Sequence, residues 1–137
     1  MIQFLAGAKG VGKTKKLIGM ANASVKTTDG DLVYIDDDKR HIYDLHYDIR
    51  FVDTTSYPLS DCDIFIGFIC GVLSQNSDIK EIYVDGLTNI VETVDNDSLP
   101  DLTAKLGTLS AENNVDFIVS INWDEDKLPE CVREFLI

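Results

Sequence analysis

Residues 7 to 14 read Gly7-Ala8-Lys9-Gly10-Val11-Gly12-Lys13-Thr14, a full G-x-x-x-x-G-K-[ST] pattern close behind the amino terminus. Each part has a physical job. The glycines let backbone N–H groups close round phosphate oxygens, and Lys13 sets a point charge beside the outer phosphates. Thr14 offers a hydroxyl to Mg²⁺ and opens the next helix, whose positive dipole end faces the anion. The flanks agree. Ile2 to Ala6 is a short apolar, strand-like run, and Lys15 to Ala23 reads as a helix. Strand, loop and helix in that order are the context the motif requires. The pattern therefore predicts binding of a nucleotide through its phosphates.

Length bounds what surrounds the loop. The 137 residues make a single nucleotide-binding domain, residues 1–137, with no room for a separate substrate or lid domain. With 45% apolar and 26% charged residues the composition is globular, and no repeat or low-complexity tract interrupts it. No basic leader precedes the first strand, so no signal peptide is expected. The longest apolar stretch, Ile64 to Leu73, is too short to span a bilayer. Cys62, Cys70 and Cys131 form no C-x-x-C pair and read as buried, reduced thiols of a cytoplasmic protein. Twelve Lys and Arg face twenty-four acids, a net charge of −12. That balance opposes nucleic-acid binding over most of the surface.

Along the chain, strands alternate with helices, as in a mostly parallel sheet covered on both faces. Asp31 to Ile35 reads as a second strand running into Asp36-Asp37-Asp38. Residues 39 to 49 are ambiguous, and Arg50 to Asp53 looks like a short strand. A helix follows Pro58, with Ser60 as its N-cap and Ile64, Phe65, Phe68, Ile69, Val72 and Leu73 on one stripe. The next strand, Glu81 to Gly86, ends in Asp85. An apolar strand closed by an aspartate downstream of such a loop is the usual form of the Mg²⁺-side carboxylate; the plainer reading is an Asp-Gly turn. Ser98 caps a further helix through Asp101, buried on Leu102, Leu106 and Leu109. Val115 to Ile121 is the last strand, and a final helix spans roughly Pro129 to Leu136.

With these pieces in place the chain resembles the RecA/KaiC-like branch of P-loop ATPases. The second strand of that branch reads like "(Y/F)-I-D-x-E", and here it is Tyr34-Ile35-Asp36-Asp37-Asp38. Its Mg²⁺-side strand reads like "V-I-D-S-L-T", matched by Tyr83-Val84-Asp85-Gly86-Leu87-Thr88. Its last strand ends in a polar residue beside the γ-phosphate, for which Ser120 and Asn122 stand ready. The resemblance implies a three-layer α/β P-loop NTPase fold with strand order 5-1-4-3-2 and the phosphate loop central. It also implies ATP as the nucleotide.

The departures matter as much. The catalytic glutamate of that branch falls on Asp38, whose reach is one methylene shorter, and an ångström of misplacement can cost on the order of a hundredfold in rate. Asp36 to Asp38 read equally well as a solvated acidic turn. Asp85 is followed by Gly86, not by the Asp-Glu pair of many hydrolysing ATPases. Other classes fit worse. The Asn-Lys-x-Asp guanine motif is missing, and Asn122-Trp123-Asp124 is its nearest string. Partitioning-type ATPases carry a second lysine where Ala8 stands, with Lys9 one place late. The only arginines are Arg40, Arg50 and Arg133, none in an evident lid. Trp123, His41 and His46 read as packing or surface residues.

The expectation is thus a Mg²⁺-dependent nucleotide-binding protein and slow ATPase. Gly7 to Gly12 cradle the phosphates, and Lys13 serves the β/γ-phosphates. Thr14 ligates Mg²⁺, Asp85 holds it through water, and Asp38 positions the attacking water. One alternative is a nucleotide-sensing or partner-binding module that does not hydrolyse. A remoter one is a small-molecule phosphotransferase. A homo-oligomer or other protein partner supplying an arginine is open.

Overall fold

Runs such as Leu32-Val33-Tyr34-Ile35 and Ile82-Tyr83-Val84 are buried residue after residue, with no polar alternation. Strands of that kind must be covered on both faces, which is the setting of a parallel sheet. The computed structural model describes all 137 residues and shows this arrangement. Its strands are β1 (Ile2–Ala6), β2 (Asp31–Asp36), β3 (Arg50–Asp53), β4 (Ile79–Asp85) and β5 (Asp116–Ile121). Its helices are α1 (Lys13–Ser24), α2 (Cys62–Ser74), α3 (Leu87–Ile90), α4 (Leu99–Asn113) and α5 (Glu130–Arg133). Every strand pair is parallel, in the order β1-β5-β4-β2-β3.

That order corrects the implied 5-1-4-3-2. β1, β5, β4 and β2 neighbour one another as positions 1, 4, 3 and 2 would, but β3 is added outside β2. Beyond β1 there is only a parallel bridge between Phe4 and Leu136. Phe4 N–H donates to Phe135 O (2.8 Å), and Ile137 N–H donates to Phe4 O (3.0 Å). α5 is a single turn, and Leu136 after it pairs with β1 through that one bridge. The loop after β1 consequently sits toward one side of the sheet, not at its centre.

Alternation along the strands divides the core. One face carries Ile2, Phe4, Val33, Ile35, Ile82, Val84, Phe117 and Val119, and α2, α4 and the smaller helices cover it in a cluster of 23 buried residues. The other carries Leu5, Leu32, Tyr34, Tyr83 and Ile118, packed on Leu17, Ile18 and Ala21 of α1 in a cluster of 10. No helix of the chain is long and apolar enough to cross a membrane.

Local details differ from the sequence reading where side chains had a choice. Asp61, not Ser60, caps α2, accepting from Ile64 N–H at 2.9 Å. Of its stripe, Phe65 and Ile69 are buried while Ile64 is exposed. Ser98 makes no side-chain cap; its hydroxyl accepts from Asp95 N–H instead. Residues 39 to 49 form no α-helix, only a 3-10 turn at Ile42–Asp44. The cysteines are free, but Cys70 and Cys131 are exposed and Cys62 is half-buried.

Candidate functional site

A cavity of about 630 Å³ opens at the carboxyl ends of β2, β4 and β5, between the glycine-rich loop and residues 36–44. Only one lining residue, Ile18, is hydrophobic. Ligands of open α/β sheets bind at this end of the strands. The loop turns here because Gly10 and Gly12 sit at φ +91° and +94°, where a side chain would strain the backbone. A Cβ added at either glycine would meet only open space, so conformation and not crowding selects glycine.

The loop leaves its donors free. Lys16 N–H is the first of α1 to find a helical acceptor, Gly12 O at 3.2 Å. The N–H groups of Lys9, Gly10, Gly12, Lys13, Thr14 and Lys15 donate to no protein atom, and all six residues line the cavity. Together with the positive end of α1, they make an anion cradle. Lys13 Nζ folds back to donate to Gly7 O (2.7 Å) and Ala8 O (2.9 Å). Burial lowers the ammonium from its ordinary value, and the Asp85 carboxylate opposes that shift. Gly7, Ala8 and Val11 do not themselves line the cavity. Gly7 N–H is used by Trp123 O at 2.8 Å, and Val11 points largely to solvent.

Behind the loop lies a row of polar side chains. Strand alternation puts Asp36, Asp85 and Ser120 on the α1 face at the strand tips, each almost wholly buried. Thr14 Oγ1 donates to Asp85 Oδ1 at 3.1 Å, and Ser120 Oγ donates to the same oxygen at 3.1 Å. Ser120 Oγ also accepts from Gly86 N–H at 2.7 Å. Tyr34 O–H donates to Asp85 Oδ2 at 2.8 Å. Asp36 stands in register with Asp85 on the adjoining strand. Burial first, then the Asp85 charge and the Asp37 side chain, push its carboxyl up to about 8, against the Asp37 backbone N–H, which lowers it.

The last sequence candidate, Asp38, lies on the exposed rim of the same cavity. Its Oδ1 accepts from Arg40 N–H at 2.7 Å and its Oδ2 from Arg40 Nε at 2.6 Å. These bonds hold its carboxyl below the ordinary range.

No protein-family model matches the sequence, and no curated protein matches it. Among solved structures, a KaiC-like protein (PH0186) of the hyperthermophilic archaeon Pyrococcus horikoshii OT3 superposes with a TM-score of 0.68. The match covers 98% of this chain at 18% identity, and the chain spans 66% of that protein's length. The fold is RecA/KaiC-like. Identity at that level speaks for the fold alone.

Within the RecA/KaiC-like frame, the structure brings Lys13, Thr14, Asp85 and Asp38 to one cavity. Sequence reasoning gave no role to Tyr34, Asp36, Arg40 or Asn89. Period-two alternation signals that Tyr34 and Asp36 share a face, but not that the face ends at the loop. Arg40 and Asn89, together with His41 and Asn122, also line the cavity. His46 lies away from it, its ring stacked on Tyr47 at 4.3 Å between centroids. Trp123 packs partly buried against the larger core.

Proposed function

We propose that the chain binds a nucleoside triphosphate with Mg²⁺, and that ATP is the nucleotide by resemblance. One observation carries this reading: free loop amides, the Lys13 ammonium and the Thr14–Asp85 pair converge on a single cavity. The phosphates lie in the Gly7 to Gly12 loop, against the amides of Lys9, Gly10, Gly12, Lys13, Thr14 and Lys15, which donate to no protein atom. Lys13 leaves the carbonyls of Gly7 and Ala8 for the β- and γ-phosphates.

The residues present fit Mg²⁺. A hydroxyl and a carboxylate oxygen are hard donors, and Mg²⁺ is usually held by one or two carboxylates plus phosphates and water. No group of three His, Cys, Asp or Glu is placed to cage a metal, so the phosphates complete the set. Thr14 Oγ1, whose hydrogen is donated to Asp85, would offer the cation an oxygen ligand. When bound, Mg²⁺ neutralises charge on the phosphate oxygens. A cytoplasmic location belongs to this reading.

Hydrolysis is slow in this account. Asp38 is the water-positioning residue, and both its oxygens are engaged by Arg40. That engagement also favours the second reading, a binding or sensing module without turnover. Rapid turnover calls for a further cation from a second copy of the chain or another protein partner. A phosphotransferase is disfavoured because Arg40 is the only arginine at the cavity.

Equilibrium binding of ATP with and without Mg²⁺, beside steady-state phosphate release, tests the proposal. Wild-type protein binds, Lys13→Ala does not, and release that disappears in Lys13→Ala identifies the ATPase. Binding without release selects the sensing module. Equal binding by both proteins contradicts the proposed site.

A further inference from the structure

Tyr34 is wholly buried, yet its hydroxyl reaches the site. It stands in register with Phe51 on β3 and Tyr83 on β4. The three rings stack across the sheet, Tyr34 to Phe51 at 6.3 Å and Tyr34 to Tyr83 at 6.1 Å, with interplanar angles of 15° and 16°. A ring clamped on both sides has little rotamer freedom. Asp85 is two residues beyond Tyr83 on the same face, a diagonal neighbour of Tyr34, and aromatic side chains span such diagonals. The ladder thus aims the hydroxyl at Asp85 Oδ2, 2.8 Å away.

We infer that Tyr34 is a positioning residue for the cation side of the site, fixing Asp85 so that Oδ1 is turned to Thr14. Ser120 shares the work from the opposite strand, donating to Oδ1 at 3.1 Å. With Oδ2 tied to Tyr34, the carboxylate cannot rotate away from Thr14 without leaving a buried acceptor unpaired. Orientation of a metal-side ligand by a hydrogen bond from behind is a general device, and its loss commonly costs about 10- to 100-fold in metal affinity. This inference rests on the nucleotide and Mg²⁺ reading above.

The test is the coupling between Mg²⁺ and ATP: the ratio of ATP dissociation constants measured with excess EDTA and with saturating Mg²⁺. Tyr34→Phe keeps the ring stack and removes only the hydroxyl. It is expected to lower the coupling about 10-fold or more, with the affinity in EDTA unchanged. Tyr83→Phe removes a hydroxyl from the same ladder, one that donates to Glu81 at 2.5 Å and not to Asp85. It should leave the coupling intact. Because Tyr34 acts through Asp85, Asp85→Asn and the double variant Tyr34→Phe/Asp85→Asn should show the same residual coupling. Full coupling in Tyr34→Phe overturns the inference, and so does equal loss in Tyr34→Phe and Tyr83→Phe, or additive loss in the double variant. Wild-type protein that binds ATP in neither condition overturns the nucleotide reading itself, and the inference with it.

Discussion

The two faces of the sheet are built to different ends. The face under α2 and α4 is closed by a cluster of 23 buried apolar residues, and the buried hydroxyls of Thr103 and Ser110 on α4 are spent on the backbone carbonyls of Leu99 and Val115. The face under α1 has a cluster of 10, and beyond it the strand tips carry Asp36, Asp85 and Ser120. Apolar burial holds the first face at roughly 25 cal/mol per Å². The second gives up part of that contribution to bury two neighbouring carboxyl groups, Asp36 and Asp85. Stability is concentrated on one face and the proposed site on the other.

The largest effect should come from breaking the closed face. Phe65→Ala empties a fully buried position and is expected to lose about 3–5 kcal/mol in urea unfolding, while ATP still raises stability. Loss of the ATP effect in a folded Phe65→Ala protein would show that the faces are not separable.

Asp36 sharpens the contrast from the other side. Its carboxyl is pushed up to about 8, whereas an aspartate of the unfolded chain titrates near 3.9. Between those values the folded chain holds a proton that the unfolded chain has released. Stability therefore falls as pH rises through that window, by at most about 1.4 kcal/mol per pH unit from this group. Asparagine mimics the protonated form, so Asp36→Asn should gain on wild type as pH rises from about 4 to 8. A gap independent of pH, measured by urea unfolding across that range, would mean that Asp36 is ionised throughout.

The smallest effect belongs to the outside of the closed face. Lys105 on α4 bridges Asp63 on α2 at 2.9 Å and Asp101 at 3.0 Å, all at the surface. Lys105→Ala should cost less than about 1 kcal/mol, and less again in high salt. A thermal melt showing a larger, salt-independent loss would move part of the stability to these ion pairs.

The alternation of strands and helices, the glycine loop and Asp85 were legible because each is a local pattern with a fixed period or spacing. The strand order was not, because it depends on how β3 and the residues after α5 pair at the two sheet edges. Asp38 was legible as a position, but its bond to Arg40 is a side-chain choice made within an irregular segment. Tyr34 was legible only as a residue of the second strand; the diagonal between β2 and β4 reveals its contact with Asp85.

The central claim is tested most directly by thermal unfolding with Mg²⁺ and ATP. At 100 times the dissociation constant, ligand bound only to the native state adds about 2.7 kcal/mol. Wild-type protein is predicted to show that stabilisation and Lys13→Ala to show none. A wild-type melting curve that no nucleoside triphosphate moves, with Mg²⁺ present, would contradict the account.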